Sequence, residues 1–106
     1  MGSIMYGSPE ATVEFDDRTL AHLRAAFVVK LGRGEPFTFH FANPTRNGSG
    51  HTVLWIHPTI ALRFHFTGRT GPLNRAWVDA LVETANASSG LVLVAEPQRF
   101  TAQPPA

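Results

Sequence analysis

Three phenylalanines at alternate positions, in FTFHF (37–41), constrain the fold more than any other stretch of this chain. A period of two puts Phe37, Phe39 and Phe41 on one face of a strand and Thr38 and His40 on the other. A helix would scatter the same rings around its axis. LRFHF (62–66) repeats the device and ends on the same three residues. Two strands therefore offer rings to a core and turn a histidine, His40 or His65, to the opposite face.

The flanking sequence supplies the rest of a small domain. SIMYG (3–7) and ATVEF (11–15) read as strands joined by a Gly7-Ser8-Pro9 turn. Asp16 and Asp17 then precede a helical period with Leu20, Leu23, Phe27 and Leu31 on one stripe and Val28 at its margin. The paired acids suit the helix start, Lys30 and Arg33 suit its end, and Gly32 or Gly34 stops it. Arg24 falls inside the apolar stripe. It snorkels to the edge, pairs with a buried carboxylate, or reaches a functional face. Residues 36–42 read as a strand and 43–50 as a polar loop with an Asn-Gly turn signal. Strands follow over 51–57 and 60–66 around Pro58-Thr59, then a loop over 67–72.

Asn74 caps a second helix, with Leu73 and Val78 at staple positions. Its buried stripe is Trp77, Val78, Leu81, Val82 and Ala85, with Arg75, Asp79 and Glu83 facing water, and Ser88, Ser89 and Gly90 end it. LVLV (91–94) is apolar on both faces, as in a central strand. The order is ββ-α-βββ-α-β. It predicts a single α+β domain over 1–96, with a mostly antiparallel sheet and two helices packed on one face, followed by a Pro-rich, flexible tail over 97–106.

A chain of 106 residues with 43% hydrophobic content and eight Phe can build that core unaided. The absence of Cys excludes disulfides, thiolate metal sites and a Cys nucleophile. The start, MGSIMYG, has no basic segment or apolar run of a signal peptide, and no stretch reaches transmembrane length. A cytoplasmic protein with no membrane partner is expected. The net charge of +1 gives no strong steering field. Eight of the nine basic residues are Arg, which suits phosphate and base-edge contacts, but they are scattered rather than grouped.

Histidines carry most of the remaining chemistry. His40 and His65 would share the open face, and His57 or His51 would be the third metal ligand. No carboxylate lies near on these strands and HExxH is absent, so neither a metal nor a cofactor is expected. The register of a 51–66 hairpin decides the neighbours. A three-residue loop puts Trp55 and His57 outward; a four-residue loop exposes Leu54 and Ile56 instead. Ser49 beside His51 lacks a GxSxG context, and the Asp16-Asp17 pair is explained by the helix cap. Arg69 and Arg75 near Asn74 make an anion site at the second helix start. An open face carrying Thr38, His40, Arg63 and His65, with Trp55, would stack bases and contact phosphates. It would equally serve as a dimer interface.

The ordered run MGSIMYG, DDRTLAHL (16–23), KLGRGE (30–35), VLWIHP (53–58), LRFHFTG (62–68), LNRAWVDAL (73–81) and TANASSGLVLVAEP (84–97) resembles a family of small bacterial proteins labelled "ATP-dependent DNA ligase". The resemblance covers nearly the whole chain to Pro97. Ligase chemistry needs a Lys-x-Asp-Gly motif. The only Lys, Lys30, lies in KLGR without the Asp-Gly, and a nucleotidyltransferase core needs more chain than this. The resemblance therefore implies a non-catalytic accessory module that binds DNA or a DNA-repair partner, and it supplies no functional residues of its own. The expected contacts are His40, Trp55, Arg63, His65, Arg69 and Arg75. A homodimer through the open face is the alternative, and a small metal protein or enzyme ranks below both.

Overall fold

The structure, a computed structural model, describes residues 1–7, 10–45, 48–87 and 90–97, with the backbone alone given for 43–45, 48 and 49. The element order is β1 (Gly2–Tyr6), β2 (Ala11–Phe15), α1 (Asp17–Gly32), β3 (Phe37–Thr45), β4 (Gly48–Ile56), β5 (Leu62–His65), α2 (Arg75–Asn86) and β6 (Leu91–Val92). The α+β class and the order ββ-α-βββ-α-β are as read from the sequence.

Local chemistry sets the helix limits. The Asp16 carboxylate accepts the Thr19 N–H at 3.1 Å and so caps α1. At the other end Gly34, at φ +73°, donates to the Leu31 carbonyl (2.9 Å), and Glu35 N–H reaches the Lys30 carbonyl (3.1 Å). That pair of bonds is a Schellman closure, and only glycine enters its left-handed position without strain. Asn74 caps α2 by accepting the Ala76 N–H at 3.0 Å. Asp17 is not a cap. Its carboxylate accepts the Thr67 N–H and hydroxyl, tying α1 to the 67–72 loop.

The strands form two three-stranded sheets rather than one, ordered β2-β1-β5 and β4-β3-β6. All pairings are antiparallel except β3 with β6. The expected 51–66 hairpin is absent, because β4 pairs with β3 and β5 with β1. The Gly7 N–H donates to the Ala61 carbonyl and draws the 57–61 link onto the first sheet. The β3–β4 ladder continues through residues 43–45 and 48–50, where a loop was expected. Pro44 is tolerated there because alternate residues of an antiparallel strand need no N–H toward the partner. The turn residues 46 and 47 lie outside the described residues, as do Ser8, Pro9, Ser88 and Ser89. LVLV is no central strand: β6 is two residues long and lies at a sheet edge. Beyond it the chain leaves the sheet to cross the start of α2.

One core joins the layers. Ile4, Leu20, Leu23, Phe27, Phe37, Phe39, Phe41, Ile56, Leu81 and Leu91 are all at most 5% exposed. Phe27 is the hub. Its ring lies 5.1 Å from Phe37 and 5.2 Å from Phe39 in one sheet, and 5.6 Å from Phe64 in the other. Edge-on packing at these distances adds about 0.5–1.5 kcal/mol per pair beyond area burial.

The buried face of α1 is rotated from the expected stripe. Ala26 and Lys30 are buried, while Arg24 and Val28 are exposed. The reason is that α1 packs on α2 as well as on β1, so small residues fill the helix contact. Arg24 simply points to water. The helices run parallel: the starts meet through Arg18 and His22 with Pro72 and Asn74, and the ends through Lys30 and Asn86. Among the described residues no helix is long and apolar enough to cross a membrane.

Candidate functional site

The strongest candidate is the outer face of the β4-β3-β6 sheet. Inward Phe37, Phe39 and Phe41 force Thr38, His40 and Ala42 outward. The register sets Trp55 beside Thr38, Val53 and Val92 on either side of His40, and His51 beside Ala42. Trp55 is 52% exposed, Val53 47% and Val92 36%. An apolar row thus runs across three strands, with His40 in its middle. Trp55 is outward because β4 pairs with β3, so Leu54 and Ile56 turn to the core.

The two histidines of this face are neighbours. His40 Nδ1 lies 3.4 Å from His51 Nε2, and His40 Nε2 lies 3.1 Å from the Thr38 hydroxyl. The expected pair, His40 with His65, is not formed. His65 and Arg63 stand on the other sheet, opposite Ser3 and Met5 of β1. Arg63 is within 3.7 Å of the Glu10 carboxylate. The single open face read from the sequence is therefore two faces, one with Trp55 and His40, the other with Arg63 and His65. Arg69 lies exposed in the 67–72 loop and Arg75 exposed in the first turn of α2, so neither belongs to a strand.

The long edge of β4 borders the apolar row. Leu93 N–H donates to the His40 carbonyl, so His40 directs its peptide groups toward β6 and away from β4. Alternation then makes the His40–Val53 pair a non-bonded one, and Val53 and His51 direct N–H and C=O to an edge that no strand among the described residues pairs. The Tyr6 hydroxyl donates to the Trp55 carbonyl and closes that end. The strand sequence, GSGHTVLWI, contains no charge and no proline, the two common protections of a sheet edge.

A second polar cluster lies at the paired helix starts, and most of it was not legible in the sequence. His22 is fully buried. Its Nδ1 is 2.7 Å from the Arg18 carbonyl, and its Nε2 accepts the Asn74 N–H at 2.7 Å. A carbonyl only accepts and an N–H only donates, so the ring carries its hydrogen on Nδ1. The Asn74 side chain also donates to Glu96 (2.8 Å), which forks onto Arg18 at 2.9 and 2.6 Å. Trp77 donates to the Val94 carbonyl at 2.9 Å, and Pro97 accepts from Asn74. The segment after β6 is thus a strap through Pro97, and only 98–106 of the expected tail lie outside the described residues. Beside Asn74, where an anion site with Arg69 and Arg75 was expected, stands the chain's own Glu96, held by Asn74 and Arg18 instead.

Glu96 sets an acid sensitivity. The Arg18 hydrogen bond, then that of Asn74, holds its carboxyl down from 4.5 to about 2. A depressed carboxylate stabilises the fold above its unfolded value and loses that contribution as pH falls through the folded one. Wild type should therefore exceed Glu96→Gln in urea stability at pH 6, with the gap closing between about pH 4.5 and 2. Salt should narrow it, because both side chains are part exposed. A gap independent of pH would contradict this assignment.

Lys30, the only lysine, is 6% exposed and donates to Asn86 while pairing with Glu35, each at 2.7 Å. An open groove of about 500 Å³ between α1 and α2 is walled by Ala25, Val29, Val78 and Val82. Its rim carries Arg33, Arg75, Asp79, Glu83 and Asn86.

A family model described as "Domain of unknown function (DUF7882)" matches residues 1–96. No curated protein and no solved structure matches the chain.

Proposed function

We propose that this chain, which belongs to the DUF7882 family, is a non-catalytic docking module that self-associates through the open edge of β4 and the apolar face beside it. The observation that carries the reading is an uncharged edge strand that itself presents exposed Val53 and Trp55. An antiparallel strand across a two-fold axis satisfies the same residues on both copies. Val53 would face Val53 of the second copy, with Trp55 opposite His51, and the two apolar rows would become continuous. Lys30 supports the non-catalytic part of the reading, since a buried, doubly engaged amine is no nucleophile for adenylate transfer.

Sedimentation velocity tests it directly. Dimer is expected as chain concentration rises. Val53→Lys should return the chain to monomer with its fold intact, by placing like charges opposite each other. Wild type that sediments as monomer at millimolar concentration refutes the reading.

The accessory-module reading, with DNA or a DNA-repair protein as partner, rests on the ligase-label resemblance and on the 69% exposed Arg63 side chain. It receives less support, because Arg63 and Trp55 stand on different sheets. Its test is a salt-dependent mobility shift, with Arg63→Ala plus Arg69→Ala weakening binding. No shift at low salt discards it.

A further inference from the structure

We propose that His40 and His51 form a two-histidine site for a divalent transition metal, with Zn²⁺ as the expected occupant. The two facing nitrogens, His40 Nδ1 and His51 Nε2, are 3.4 Å apart. A tetrahedral zinc with bonds of about 2.0–2.1 Å holds adjacent nitrogens about 3.3–3.4 Å apart. The ion therefore fits between the rings with little movement. The rings are 5.5 Å apart and tilted by 36°, both on the outer face of the β3–β4 pair, with solvent access to His51.

Thr38 supplies the outer support that metal-binding histidines use. Its hydroxyl is 3.1 Å from His40 Nε2. With the hydrogen on Nε2 donated to Thr38, the Nδ1 lone pair is left facing His51, the orientation a ligand needs. Thr38 is itself held in place, because Gly90 passes so close that a Cβ there would meet the Thr38 hydroxyl. Among the described residues no group of three or more His, Cys, Asp or Glu is gathered for a metal. Two coordination positions are thus left to water. Two imidazoles select zinc, copper(II) or nickel(II), and offer nothing to calcium or magnesium, which need several oxygens.

The site lies within one chain and does not depend on self-association. Titration of ZnCl₂ into the protein below the concentration at which it dimerises separates the two readings. One equivalent should bind. His40→Asn and His51→Asn should each weaken binding at least tenfold, and Thr38→Val about tenfold. His65→Asn, on the other sheet, should leave it unchanged, and MgCl₂ should give no signal. Far-ultraviolet circular dichroism verifies that each variant is folded. Absence of zinc binding to folded wild type, or binding that survives His40→Asn with His51→Asn, overturns the site. So does equal loss in His65→Asn.

Discussion

Replacing His22 with alanine is expected to cost about 3–5 kcal/mol, on the order of 15 °C in melting temperature for a domain of this size. The ring is fully buried, 4.5 Å from Trp77, and bonded at both nitrogens. Alanine leaves a cavity there and removes the acceptor of the Asn74 N–H. Asn74 is 4% exposed, so water does not replace it readily. His22→Leu fills the space but still leaves that donor unpaired, at about 1–3 kcal/mol. His22→Gln keeps an acceptor and should recover part of the loss. Urea unfolding followed by Trp fluorescence gives all three values. An alanine variant within 1 kcal/mol of wild type means that the bond to Asn74 contributes little.

Gly90→Ala is the second large effect. Gly90 has φ +98°, and a Cβ there would collide with the Thr38 hydroxyl and lie 2.7 Å from the Thr38 carbonyl. The backbone conformation alone costs a non-glycine residue about 1–3 kcal/mol. The carbonyl is backbone, so no rotamer change relieves the second contact. The expected outcome is a loss of more than about 3 kcal/mol, with β6 displaced from β3. Hydrogen exchange reads this out, since Leu93 N–H donates to His40 and should lose its protection. In a Thr38→Ala background only the side-chain contact is relieved, so most of the loss should persist. A Gly90→Ala chain with wild-type protection at Leu93 would contradict the geometry.

What the sequence revealed follows from the range of the interactions involved. Asp16 and Asn74 were legible as caps because each bonds within three residues of itself. The faces of β3 were legible because alternation is local. Alternation says which way a side chain points, however, and not which strand lies beside it. His40 was therefore expected to share a face with His65, and its neighbour is His51. Pairing of β1 with β5 joins Ile4 to Phe64, and nothing local encodes it. Trp55 illustrates the same limit: its outward direction depends on β4 pairing with β3, not on the length of the loop after it. Nothing in the sequence singles out His22, because its second partner is a backbone N–H 52 residues away. Glu96 closed the expected domain without an assigned role, because its partners Arg18 and Asn74 lie 78 and 22 residues away.

The strap also gives the chain a schedule. A ribosome releases β1 first, and β2 can pair with it at once, but the other edge of β1 waits for β5. The bond from Leu93 to His40 and the fork of Glu96 onto Arg18 form only after almost everything else has emerged. The residues that complete the β3 edge and the Arg18 fork thus emerge after both helices, and a nascent chain keeps that strand edge exposed until Leu91, Val92 and Leu93 arrive.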